Sequence, residues 1–504
     1  MFTDKYGILV EDAKDRFIRG KSYEKIISLY AHLLYGSFAA CRVRKKEEAK
    51  TVELDKDNPT VISVWHYYNG AQQEAFESLV SQFNNSDGKD EGIYVETYAQ
   101  GNVYDLEKTV LNSANKKAGA SEMPNIFAAY ADTAYQVNKL GLVADLNEYL
   151  TKDEIGEYVD NYIEEGELSR AGELKIFPVA KATEVLAVNQ TDWEKFSKAT
   201  GAKTSDLSTI EGLVKTAEKY YKWTDKATKT PNDGKAFYGR DAMANYFFVG
   251  AKQQGVDLLK IEKGKCKINF DKKVVRKLWD NYYTPYIKGY FTASGRYRSD
   301  DMKMGSLIAF TGSSSGAAYY PKAVTVNDKK SYPIKVRSYE VPKFADEEDY
   351  AVQQGAGMVV TKSSDKEIYA SVQFLKWFTE AKRNFEFAAT SSYLPVKKEA
   401  NTEKAVEKAM KDEKNEDIKD TVMTAVKTVN NNKMYTPKAA KNGSQIRNIL
   451  ETCLSDKADQ DRKAVEKAIK GGMSYEAAVK KYNTDQNFEQ WYEKTLKELK
   501  TLEG

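Results

Sequence analysis

"VISVWHYYNGAQQEAFESLVSQFNN", residues 61–85, decides the fold. Val61, Ser63 and Trp65 alternate with the period of a strand, Gly70 supplies a turn, and Ala75, Leu79, Val80 and Phe83 recur at helical spacing. A strand passing through a glycine turn into an amphipathic helix is the building unit of an α/β sheet. The chain repeats it. "GIYVETYAQ" (92–100) reads as a second strand and "DLEKTVLNSANKK" (105–117) as a second helix. "MPNIFAAYADTAYQVNKLGLVADLNEYL" (123–150) gives a buried strand over 125–129 and a further helix.

The pattern then changes. In "ELKIFPVAKATEVLAVNQTDWEKF" (173–196) two strand-like runs join through Pro178, and Thr191 and Asp192 are expected to start the next helix. Residues from about 206 to 301 read as mainly helical. "GSLIAFTGSSSGAAYY" (305–320) is a strand ending in a small-residue turn. "QQGAGMVVTKSSDKEIYASVQFLKWFTEA" (353–381) is a strand, a capped start at Ser363 to Asp365, and an amphipathic helix. Beyond about residue 400 the chain is Lys- and Glu-rich helix, read mostly as a solvated face.

Length and charge bound the function. The 504 residues exceed the ~250–300 at which single cores stop growing, so two lobes are expected. With 77 basic against 74 acidic residues the formal charge is +3, which leaves no field for gripping a nucleic-acid backbone. Tyr, at 34 against 6 Trp, suits surfaces that stack on a ligand and offer it a hydroxyl. Cys41, Cys266 and Cys453 are far apart and only His32 and His66 are present, so neither a metal site nor an imidazole relay is expected.

Gly312-Ser313-Ser314-Ser315-Gly316 matches the GxSxG of hydrolase nucleophile elbows. In that fold the histidine follows the serine, whereas both histidines here precede it, so the segment reads as a small-residue loop that lets a ligand approach backbone N–H groups, or as a plain tight turn. Gly355 and Gly357 lack the third glycine of a dinucleotide loop, and no Walker lysine motif occurs, so no cofactor is expected. Acidic residues are too numerous to single out a glycosidase pair.

At the N-terminus, "KIISLYAHLLYGSFAAC" (25–41) carries an apolar run over 26–40 that ends in small residues before a cysteine. It resembles a bacterial lipoprotein signal whose cysteine, here Cys41, becomes the lipidated first residue, although Asp4, Glu11, Asp12, Asp15 and Phe38 depart from that pattern; an ordinary N-terminal helix is the alternative. The run falls short of the ~20 residues that a membrane span needs. Residues 42–60 are charged throughout and read as a tether.

Several of these segments, with "AFTGSSSGAAY", "SSYLPV" and "SQIRNIL", stand in the order found in extracytoplasmic solute-binding proteins of carbohydrate ABC importers. Over residues 61–495 the chain resembles that family, and within it the glycerol-3-phosphate-binding member. The resemblance implies an α/β, two-lobed periplasmic-binding-protein fold of type II, with a ligand cleft between lobes joined by hinge crossings at 178–183, 355–358 and 393–396. One lobe would comprise 61–178 with 358–395, the other 179–357 with 396–500. Carried over by position, the ligand contacts fall on Tyr104, Lys181, Ser314, Gly355, Tyr393 and Arg447, with Trp65 and Ser313 completing the candidate set. Lys181 stands where that member has serine.

The implied function is a lipid-anchored, monomeric receptor on the outer face of the cell membrane, without catalysis. It would bind a sugar, polyol or sugar phosphate and deliver it to permease subunits driven by a separate ATPase. A secreted glycosidase and a cell-surface adhesion module are the alternatives.

Overall fold

The computed structural model describes residues 49–168, 170, 172–262 and 265–504, so Cys41 and the run before it lie outside the described residues. The first half of the described chain contains β1 (Thr60–His66), α1 (Gly70–Asn85), β2 (Ile93–Ala99), α2 (Val103–Ala114), β3 (Ile126–Ala129), α3 (Ala131–Lys139), β4 (Glu184–Asn189), β5 (Tyr238–Arg240) and α4 (Met243–Gln253). The second half contains α5 (Lys272–Ile287), β6 (Ala309–Ser313), β7 (Val336–Glu340), β8 (Gly357–Val360), α6 (Asp365–Phe378), α7 (Ala381–Ser391), α8 (Gly443–Lys470) and α9 (Asp485–Lys500).

These elements make two lobes. The first is a sheet of order β8-β3-β1-β2, in which β1 pairs in parallel with both neighbours and β8 runs antiparallel to β3. Ile62 and Val64 of β1 are fully buried, packed with Phe76, Leu79 and Phe83 of α1. The strand period is as expected, but its outward set is Val61, Ser63 and Trp65. Val61 lies half exposed beside its partner Tyr94 on β2, while Trp65, opposite Tyr98, is buried in the core. His66 ends β1 between Tyr68 and Phe76, and burial holds its imidazole down at about 4. It is a neutral core residue.

The second lobe is a sheet of order β7-β4-β6-β5, whose central strand β4 is buried over its whole length. The helix after β4 begins at Gln190, and its cap is Asn189, two residues ahead of the expected Thr191, with its side chain accepting from the Asp192 N–H at 3.1 Å. At α6 the expected cap holds: Ser364 and Glu367 form a capping box. The C-terminal helix departs from its expectation. Along α8, Ile446, Leu450, Leu454, Ala458 and Val465 are buried in the second lobe's core, so its narrow apolar seam was hidden by the surrounding lysines and acids. Residues 49–59, expected to be part of a free tether, lie on the first lobe instead. Lys50 bonds the Glu148 carbonyl at 2.8 Å and Asp365 at 2.7 Å, and Leu54 packs on the core.

Three extended segments cross between the lobes side by side. Lys181 exchanges backbone hydrogen bonds with Leu394, Ala182 with Gln354, and Phe177 with Met358. Gly355 sits at φ +95°, and a Cβ there would lie 2.8 Å from the Ala180 carbonyl, so only glycine fits. The Lys181 ammonium, 1% exposed, is held by Glu165 at 2.7 Å and by the Gly355 carbonyl at 2.9 Å. Ser314 is fully buried and ties the end of β6 to Thr183 through its N–H and its hydroxyl.

Removing one partner of a buried pair leaves a bare charge, so Lys181→Met should lower stability by about 3–5 kcal/mol. Urea unfolding is the measurement, and a loss below about 1 kcal/mol would show the junction does not depend on this pair.

Candidate ligand cleft

A cavity of about 340 Å³ opens between the lobes. Its first wall is the start of α2 and of α3. Asn102 caps α2 and Asp105 completes a capping box, after Gly101 turns the chain at φ +81°. That geometry sends Tyr104 outward, 65% exposed, with Glu107 one turn on. Tyr130, Ala131 and Asp132 follow directly on β3. Ligand clefts of α/β sheets form at such C-terminal strand ends. The opposite wall combines Asp241, Asn245 and Phe248 with Tyr297 and the first turns of α8, Gly443 to Glu451. Gln353 and Gln354, on a crossing, close the floor beside Glu165.

Arg447 is the centre of this wall. Its Nη1 donates to Asn245 Oδ1 at 3.0 Å, and its guanidinium lies 5.3 Å from the Phe248 ring centroid. Asn245 is itself fixed, donating to Glu184 at 3.0 Å, and Glu184 accepts from Arg240 at 2.6 Å. Arg240 and Glu184 are both buried. The chain of bonds from Arg240 to Arg447 orients the guanidinium, and the donors not used by Asn245 can serve a ligand.

Two carboxyls of the cleft titrate high. Burial pushes Asp132 up to about 6 against the opposing Ala440 N–H and Arg447, and burial pushes Asp241 up to about 6 against the Arg298 N–H and guanidinium. Carboxylates outnumber cations on the lining: Glu107, Asp132, Glu165, Asp241 and Glu451 face Arg296, Lys438 and Arg447.

Of the expected contacts, Tyr104 and Arg447 line this cavity. Tyr393 lies behind it, its hydroxyl 3.4 Å from that of Tyr67 and its ring stacked on Phe387. Burial raises the Tyr130 hydroxyl, Tyr393 adds to the rise and Arg447 opposes it, so Tyr130 stands between the two. Lys181, Ser314 and Gly355 are structural parts of the junction instead. Ser313 caps its own turn, its hydroxyl 2.9 Å from that of Ser315. Trp65 faces a separate groove on the first lobe, with Tyr98 and Ser63. Asn245, Phe248, Asp241 and Glu107 were not expected. A sequence signal for Asn245 existed: an asparagine inside "MANYFFVG" is a poor helix former and needs a partner. Among the described residues, no cluster of His, Cys, Asp and Glu could hold a metal ion.

A family model described as bacterial extracellular solute-binding protein matches residues 78–415. No curated protein sequence matches the chain. Among solved structures, the cyclic α-maltosyl-1,6-maltose binding protein of Arthrobacter globiformis is similar at 19% identity and a TM-score of 0.61, covering 88% of this chain and 100% of its own. UgpB of Mycobacterium tuberculosis, in complex with glycerophosphocholine, has 14% identity and a TM-score of 0.62, covering 88% and 99%. A solute-binding protein of Agrobacterium radiobacter K84 in complex with ribitol has 18% identity and a TM-score of 0.57, covering 84% and 97%. Likeness at these identities concerns the fold.

Asn245→Ala would release Arg447 and leave one side of buried Glu184 without its donor. A loss of about 1–3 kcal/mol in chemical unfolding is expected; a neutral result would mean that Glu184 is satisfied by Arg240 alone.

Proposed function

The chain belongs to the bacterial extracellular solute-binding proteins, and we propose that it captures a neutral sugar or polyol between its lobes and hands it to an ABC permease driven by a separate ATPase. The observation that carries this is the make-up of the cleft. Tyr104, Tyr130 and Tyr297 offer exposed apolar faces for a sugar ring, and the oriented Arg447 offers paired donors to vicinal hydroxyls. Carboxylates accept from the remaining hydroxyls. Their excess over cations disfavours a phosphate, which would meet Glu107, Asp132 and Asp241 on the same lining. Lys181 offers a phosphate nothing, because its ammonium is buried in the junction and bonded to Glu165 and the Gly355 carbonyl. The glycerol-3-phosphate branch is therefore the less favoured solute class. The relatives' solutes, cyclic α-maltosyl-1,6-maltose and ribitol, support the neutral class, whereas glycerophosphocholine represents the phosphodiester alternative.

Capture proceeds by hinge closure at the three crossings, which removes water from the solute. The role requires binding and release without turnover. The receptor acts outside the cell as a monomer, anchored through a lipidated Cys41.

A thermal-shift screen over neutral sugars, polyols and sugar phosphates tests the solute class, since a ligand at ~100 times its dissociation constant stabilises the native state by about 2.7 kcal/mol. Calorimetry then follows the hit. Arg447→Ala should weaken its binding at least about tenfold, and Arg447→Lys by less, because a lysine keeps charge without the fork. Binding of phosphates alone would overturn the neutral assignment, and unchanged affinity in Arg447→Ala would remove Arg447 from the site. For the anchor, Cys41→Ala should move the protein from the detergent to the aqueous phase in a bacterial host; equal partition of both forms would rule the lipid out.

A further inference from the structure

Two contacts bridge the lobes at the cleft, and one of the side chains involved is tightly enclosed. Asp132, at the start of α3 in the first lobe, accepts from the Ala440 N–H of the second lobe at 2.9 Å. Its carboxyl lies flat against Gly443 in the first turn of α8, where a Cβ would come within 2.1 Å of Oδ1. Beside it Ser444 donates to Glu107 of α2 at 3.1 Å, a second bond between the lobes. Both contacts exist only while the lobes are together, and neither involves a solute.

We infer that Asp132, seated against Gly443, is a latch whose protonation favours the closed arrangement of the lobes before any solute binds. The inference rests on the hinge reading above. The groups that act on Asp132 are known from each element around it: Arg447 of α8 and the Ala440 N–H favour the anion, Glu107 of α2 opposes it, and the Cys266 thiol, itself raised first by burial, is raised further by Asp132. Burial outweighs the favourable contacts, and the carboxyl titrates at about 6 with the lobes together. With the lobes apart it stands in water and titrates at ~3.9. The closed form therefore holds more protons between these values. Falling pH favours closure, beginning as it passes about 6 and complete below ~3.9; at about pH 5 the closed-to-open ratio is about tenfold that at about pH 7.5. The other raised carboxyl, Asp241, is bonded to Arg298 within its own lobe, and His66 is buried inside the first lobe. An Asp132 variant thus isolates the latch.

The test is small-angle scattering of the full-length chain, produced without lipid and without added solute, at about pH 7.5 and about pH 5. The wild type should contract on acidification. Asp132→Asn, which keeps the acceptor without the charge, should be contracted at both values, and Gly443→Val, which wedges the contact, should be expanded at both. Two results overturn the latch: an Asp132→Asn variant that still contracts like the wild type, or a wild type of constant size while Gly443→Val expands. Constant size in all three proteins, with Gly443→Val folded by circular dichroism, would instead overturn hinge closure itself and the latch with it.

Discussion

A single buried ammonium holds the junction of the molecule together. Lys181 lies on the middle one of three crossing segments, and its charge is satisfied by Glu165 of the first lobe and by the carbonyl of Gly355 on the neighbouring crossing. Glu165 also lines the ligand cavity, with Gln353 bonded to it. The floor of the cleft and the mechanical link between the lobes are thus one hydrogen-bonded assembly. Gln353, on the floor of the cleft, is positioned from it directly through its bond to Glu165.

The architecture was legible because period is a local property. β1, β2 and β3 with their following helices are plain in the sequence, and breaks at Pro178, Gly355 and Tyr393 fall where the chain crosses. The lining of the candidate cleft was legible only where a side chain's type and its surroundings agree, as at Tyr104 and Arg447. Lys181, Ser314 and Gly355 occupy positions next to the cleft, but each is consumed by a neighbour more than a hundred residues away or adjacent in space, which no local pattern reveals. The seam of α8 is masked in the sequence because an apolar residue every third or fourth place is diluted among lysines and acids. Trp65, a member of the candidate set, packs in the first lobe's core.

The cleft combines two kinds of polar group. Arg447 is held from behind by a relay that ends at a buried ion pair, so its geometry is set before a solute arrives and little ordering entropy remains to be lost. Asp132 and Glu107 instead find their partners across the gap, on the opposite lobe. On the proposed function, the first kind would confer recognition and the second would couple it to lobe movement, since the surfaces that face the cleft also bond to each other.

The pairing of β8 with β3 has a consequence for how the chain is made. Gly357 lies opposite Ala129, so the first lobe receives its last strand only after the whole central part of the second lobe has been synthesised. Until then β3 has a bare edge, and Phe127 and Ala128 lack the neighbours that bury them. Pairing between such distant segments is slow because a long loop must close before any contact rewards it. A chain that cannot complete its first lobe early stays threadable for longer, which is the condition a protein must meet to pass through an export channel before it folds.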